Sequence, residues 1–277
     1  PRPSSPPPGA LPGSRRWQET VFVPLKEFRQ WHVRIPLVNR LNAQRWVKAA
    51  MSGFDQYLRK HGKPHLIQAH SSMWAGVAAS EIKKQYGIPY VLTEHRGRFT
   101  ASAPENMIKH WQRPMLQNAF AEADRIVLVS EALTMRIEEI SPGTKERIVV
   151  IPNMVDNAFF SPSPTPPPLN PFHFVCIANP EKVKGLDMLL KAFFIAKQTA
   201  QCPLHLTIVG EGPEKKNLQQ KAREMGLGQT VEFTGKLSRE KVRETLWKAH
   251  ALVVSSNFES FGISIIEAMA CGLPVIA

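Results

Sequence analysis

Two glutamates near the end of the chain, Glu259 and Glu267, have the spacing and setting to do chemistry, with seven residues between them. Ahead of them, Ala251-Leu252-Val253-Val254 reads as a buried parallel strand, because four small apolar residues in a row suit a strand covered on both faces. Residues Ser255 to Phe261 then form the loop at that strand's carboxyl end, and a helix is expected from about Gly262 to Cys271. In an open α/β sheet ligands collect at such strand ends, where the next helix aims its free N–H groups and positive dipole end. At about 3.6 residues per turn, Glu267 falls more than one turn into that helix. Both carboxylates can therefore face one cleft while touching different parts of a ligand, so their roles should differ.

Further polar groups fall at other strand-to-helix junctions. The loop Ala178-Asn179-Pro180-Glu181-Lys182-Val183-Lys184-Gly185 follows one expected strand, and Gly210-Glu211-Gly212-Pro213 follows the next. Glycine lets backbone approach a phosphate or a base, and lysine brings a compact positive charge to diphosphate oxygens. Each loop alone is weak evidence. Together with Phe233-Thr234-Gly235 and the paired glutamates they form a set along which a nucleoside diphosphate can lie. Earlier, His95 ends the strand Tyr90-Val91-Leu92-Thr93, with Glu94 and His70 as candidate neighbours. A lone histidine is more often structural, but a strand end favours a functional reading.

These groups need a scaffold that repeats strand and helix. From Pro64 the chain does so: strands are expected at His65–Ala69, Tyr90–Thr93, Arg125–Val129 and Ile148–Ile151, with helical patterns at Met73–Tyr86, Pro104–Glu122 and Glu131–Ile140. A helix with basic decoration (Arg40, Arg45, Lys48, Arg59, Lys60) is expected before them over Leu37–Lys60, preceded by a short strand at Thr20–Pro24. After the proline-rich Ser161–Pro168 a second alternating series begins, with strands Phe172–Ile177, Leu204–Val209 and Val231–Thr234 and helices Leu186–Thr199, Glu214–Met225 and Arg239–Ala249. Such alternation predicts parallel sheets with helices on both faces. The expected division is a disordered proline-rich lead-in at 1–16, an N-terminal acceptor-side domain at 17–152, a linker at 153–170 and a nucleotide-sugar-binding domain at 171–277.

Composition narrows the classes. A chain of 277 residues is long enough for two such domains, and no window approaches a membrane-spanning apolar run. Cys176, Cys202 and Cys271 are widely spaced, odd in number and without metal-ligand pattern, which favours a reducing compartment. The net charge of +12 is uneven: residues 1–100 carry 16 Lys/Arg against 5 Asp/Glu, and residues 101–277 carry 19 against 18. A solvated face explains such an excess as readily as attraction to an anionic phospholipid surface or a lipid-phosphate acceptor. Nucleic acid is not expected as a partner, since the basic residues carry no recognisable binding motif or aromatic stacking platform.

The stretch Glu259-Ser-Phe-Gly-Ile-Ser-Ile-Ile-Glu267-Ala-Met-Ala-Cys-Gly closely resembles the signature of family 4 retaining glycosyltransferases of the GT-B fold, and the other loops occur in that family's order. The resemblance implies two Rossmann-like domains facing each other across a cleft and transfer of a sugar from a nucleoside-diphosphate sugar to an acceptor hydroxyl. No cofactor beyond this co-substrate and no metal is expected. It implies that Lys184 binds the donor diphosphate with Asn179, Lys182 and Gly212 beside it, and that Thr234 and Gly235 lie near the base. Glu267 would hold the ribose hydroxyls, and Glu259 would lie beside the donor sugar with Phe261 and Gly262. His95 would join Glu259 at the reaction centre. Vicinal hydroxyls donate well to a carboxylate, and a second carboxylate can stabilise oxocarbenium charge.

The chain departs from the family pattern at Asn179, where an arginine is usual, and at Met154, where a glycine is usual. The likeness runs from Pro64 to Ala277 and lacks the opening strand with its Gly-rich loop and the last helices, so the chain reads as an interior piece of a longer frame. A glycan or lipid-linked acceptor, a role in cell-envelope polysaccharide or glycolipid synthesis, and a cytoplasmic place with peripheral attachment to the membrane face complete the expectation. Its alternatives are a sugar-nucleotide epimerase of the same architecture and an inactive nucleotide-sugar or anionic-ligand binder.

Overall fold

The computed structural model describes residues 20–22, 25–27 and 39–277, so the lead-in expected at 1–16 lies outside the described residues. The fold falls into two compact units, divided between Ile151 and Pro152.

In the first unit a small antiparallel pair, β1 (Thr20–Phe22) and β2 (Leu25–Glu27), stands where a single strand was expected. Helix α1 (Asn39–His61) follows, then β3 (Ile67–His70), α2 (Val77–Tyr86), β4 (Tyr90–Glu94), α3 (Arg113–Ala121), β5 (Arg125–Leu128), α4 (Thr134–Ile140) and β6 (Ile148–Val150). Strands β3, β4, β5 and β6 form one parallel sheet in that order. Its core is filled by Leu92, Ile126 and Leu128 from the strands and by Leu116, Phe120, Leu133 and Ile137 from the helices, none of them exposed. The Asp124 carboxylate accepts from Lys83 Nζ and from the Tyr90 N–H, each at 2.9 Å, tying α2 to the start of β4. That cation and the N–H hold its carboxyl below the ordinary aspartate value.

Two helices are shorter than the sequence pattern predicts. Residues 104–112 form two isolated 3₁₀ turns, and α3 begins only at Arg113. Pro114 explains this: it cannot sit inside a helix but suits the first turn. Likewise 72–76 is an irregular turn with Met73 outside helical dihedrals, and the regular helix starts at Val77.

The second unit contains β7 (Phe172–Ile177), α5 (Leu186–Thr199), β8 (Leu204–Val209), α6 (Lys215–Glu224), β9 (Val231–Gly235), α7 (Arg239–Lys248), β10 (Ala251–Val253), α8 (Ile263–Ala270) and β11 (Val275–Ile276). Its parallel sheet has the order β11-β10-β7-β8-β9. One face buries Cys176, Leu206 and Ile208 against Leu189, Leu190 and Phe193 of α5 and Leu218 and Ala222 of α6. The other buries Val175, Val209 and Leu252 against Leu246 of α7 and Ala268 beside Cys271. This two-sided burial is why the strands read as nearly continuous apolar runs.

Phe160 joins that second core at 1% exposure, although it precedes the proline-rich stretch. Around it Asp156 pairs with Arg239 at 3.1 Å, the Arg243 guanidinium lies over the Phe159 and Trp247 rings, and Trp247 Nε1 donates to the Ser161 carbonyl at 2.7 Å. Residues 156–161 are thus docked on α7. Phe160→Ala is therefore expected to cost about 3–5 kcal/mol, measured by urea unfolding, whereas a solvated connector residue would change stability by about 0.5 kcal/mol or less.

Candidate active site

Sheet order places four loops side by side along the carboxyl edge of the second sheet: those after β10, β7, β8 and β9. The first two are laced together. Ser255 Oγ donates to the Lys184 carbonyl at 2.8 Å and the Asn257 N–H donates to the Val183 carbonyl at 2.9 Å. Gly185 makes this approach possible: its φ is 59°, and a Cβ there would stand 2.1 Å from the Ser255 carbonyl oxygen. Lys184 is held at the end of a short 3₁₀ turn, and its ammonium pairs with Glu259 Oε1. The Ser256 hydroxyl donates to the same oxygen at 2.8 Å. Both side chains of the pair are partly shielded, at 24% and 30% exposure, so the contact sits in a recess of the edge.

Asn179 and Lys182 lie on the same loop and are exposed. Gly212 crosses directly over it, where a Cβ would approach the Pro180 carbonyl oxygen to 2.5 Å. Gly235 ends β9 and accepts from the Gly210 N–H at 2.9 Å, which joins the third and fourth loops. Next to Gly235 stand the ends of Glu211 and Lys215, themselves paired at 2.8 Å, and Thr234 turns its hydroxyl to the Gly235 carbonyl at 3.0 Å. Phe261 is half-buried, and Gly262 caps α8 at a φ of 81°.

Glu267 lies in the second turn of α8, half-buried, and its carboxylate has no hydrogen-bond or ion-pair partner among the described residues. Burial pushes its carboxyl above the ordinary 4.5, with Arg239 acting weakly the other way. A carboxylate kept in this state stands ready to accept from a ligand. Because its folded value is raised, its contribution to stability is full below the unfolded value and is lost as pH rises through the folded one. Glu267→Gln is therefore expected to raise the melting temperature at pH 7–8 and to leave it unchanged below pH 4.5, as thermal melts across this range would show.

In the first unit, His95 follows β4 and His70 ends β3, two neighbouring strands. His95 Nε2 and His70 Nδ1 are 3.0 Å apart, and the rings are nearly parallel. Burial and the neighbouring imidazole lower the His95 value while Glu94 opposes them, so the ring is neutral at pH 7. Glu94 is fully buried and tied to Ser72. The sequence marked Glu94 only as a neighbour and held no signal for Ser72, Ser255 or Ser256, whose roles depend on which strands lie side by side. Among the described residues no cluster of three His, Cys, Asp or Glu side chains is arranged to hold a metal ion, and no helix is long and apolar enough to cross a membrane.

Residues 11–159 match Glycosyltransferase Family 4, and residues 160–277 match Glycosyl transferases group 1. A phosphatidylinositol N-acetylglucosaminyltransferase of Arabidopsis thaliana is 29% identical over 59% of this chain and 36% of its own length. D-inositol 3-phosphate glycosyltransferase of Paenarthrobacter aurescens is 29% identical over 78% of the chain and 56% of its own. Among solved structures, Anabaena HepE in complex with UDP and glucose superposes with a TM-score of 0.68 at 23% identity, covering 82% of this chain and 62% of that one. The chain thus spans between about one third and two thirds of the length of these relatives. With both units matched and the matched family extending over more than half the chain, it belongs to glycosyltransferase family 4 and has the GT-B type of α/β fold.

Proposed function

We propose that this protein is a retaining glycosyltransferase that moves a sugar from a nucleoside-diphosphate donor to an acceptor hydroxyl. The observation that carries the reading is the Lys184–Glu259 pair in the recess between the loops after β7 and β10. A diphosphate brings more negative charge than one carboxylate and can displace Glu259 from the ammonium. Glu259 is then released beside the group attached to the diphosphate, where a carboxylate stabilises developing oxocarbenium charge. Glu267 accepts from the ribose hydroxyls, Thr234 and Gly235 border the base, and Asn179, Lys182 and Gly212 complete the phosphate loop. Phe261 and Gly262 flank the donor sugar, and His95, on the acceptor-side unit, is assigned to the reaction centre. UDP in the complex of a structural neighbour is consistent with such a donor.

On the acceptor side, two relatives are named for phosphatidylinositol and D-inositol 3-phosphate. A phosphate-bearing or lipid-linked acceptor, in polysaccharide or glycolipid synthesis, fits the basic excess of residues 1–100. In α1, Arg40, Arg45, Lys48, Arg59 and Lys60 are all exposed, while Phe54 packs against Tyr86 of α2. That leaves a cationic helix face for an anionic leaflet at the cytoplasmic side of a membrane.

Calorimetric titration of the intact protein with a nucleoside diphosphate tests the donor reading. Lys184→Ala is expected to weaken binding by about 1.5–3 kcal/mol, since Asn179 supplies no second charge; an unchanged affinity would remove Lys184 from the site. Sedimentation with vesicles tests the membrane reading. Binding is expected to anionic and not to neutral lipid and to weaken with salt, because screening acts over about 8–10 Å; equal binding to both lipids would make these residues an ordinary solvated face.

A further inference from the structure

Glu94, the last residue of β4, is wholly buried and forms no ion pair among the described residues. Burying a carboxylate without a cation is costly unless hydrogen bonds satisfy it, and four do. Oε2 accepts from the Ser72 N–H at 2.8 Å and from the Ser72 hydroxyl at 2.5 Å; Oε1 accepts from the His95 and Arg96 N–H groups, each at 2.9 Å. One oxygen thus serves the loop after β3 and the other the loop after β4. These loops carry His70 and His95, whose imidazoles are in contact.

Between His70 and Ser72 the backbone is strained. Ser71 has φ 69° and ψ 131°, a conformation that residues with a side chain rarely adopt. It is held there by its N–H donating to the Thr93 carbonyl at 2.7 Å and by its carbonyl accepting from the Gly76 N–H at 3.1 Å. Such strain persists where neighbouring groups over-determine the geometry, and it gathers at functional sites. A turn serving only to connect β3 to α2 needs neither a strained serine nor a buried carboxylate.

We propose that Glu94 is a positioning residue for sugar transfer: its carboxylate locks the loops after β3 and β4 together, so that His70 and His95 are presented as one pair. The inference rests on the reading that places His95 at the reaction centre. Gln at this position keeps the shape but turns an NH₂ group toward donors of one loop, releasing it while the apolar core stays unchanged.

The test uses the intact protein. Glu94→Gln is expected to lower kcat roughly tenfold or more, with donor KM and nucleoside diphosphate affinity unchanged, because the donor loops belong to the other unit. Added to His95→Ala, it should cause little further loss, within about twofold, and NMR titration of the His70 and His95 imidazoles should change. Losses that multiply independently, or an unaltered kcat, would overturn the proposal. If Glu94→Gln does not fold, Ser72→Ala removes a single one of the four bonds; a smaller fall in kcat alone is expected, and no fall would overturn the proposal. If His95→Ala transfers normally, the reading of His95 fails, and the titration judges the clamp separately: imidazoles titrating in Glu94→Gln as in wild type would overturn it.

Discussion

The contact between Lys184 and Glu259 is the interaction on which the second unit's site depends. It joins loops from β7 and β10, neighbours whose parallel register brings Ala251 opposite Phe174. The ammonium cannot drift, because its own carbonyl is held by Ser255 and the preceding one by Asn257. Gly185 permits the approach, and the cores on both sheet faces fix the strands that bear the loops. A partly shielded pair of this kind need contribute little to stability, because desolvation offsets much of its attraction. Its value here is as a preformed anion site occupied by an exchangeable carboxylate.

The two units solve the problem of a shielded carboxylate differently. Glu94 is saturated with donors from the backbone and one hydroxyl, which suits a fixed geometric role. Glu267 has no partner among the described residues and is held above its ordinary value by burial, which suits a group that waits for a ligand. Glu259 lies between these extremes, held by one cation and one hydroxyl that a ligand can replace.

Much of the scaffold was legible in the sequence because its strands are buried on both faces. Leu204–Val209 and Phe172–Ile177 appear as read, and the loops after them hold Lys184, Gly212 and Asn179 as the pattern implied. The expectation failed where tertiary contacts overrode local pattern. Pro114 was passed over inside an apolar helical repeat, though it can only open α3. Met73 looked helical, but Glu94 captures the Ser72 backbone and leaves this turn irregular. The reach of Glu94, 22 residues back to Ser72, and the pairing of Lys184 with Glu259 depend on which strands become neighbours, and no local spacing encodes that.

The most direct test of the account asks whether Glu259 serves chemistry and not donor retention. Nucleoside diphosphate affinity and transfer rate should be measured on the same preparation of intact Glu259→Gln. Since the substitution removes the carboxylate that competes for Lys184, affinity should equal or exceed wild type while transfer falls roughly a hundredfold or more. Affinity that collapses together with transfer, or transfer close to wild type, would contradict the account.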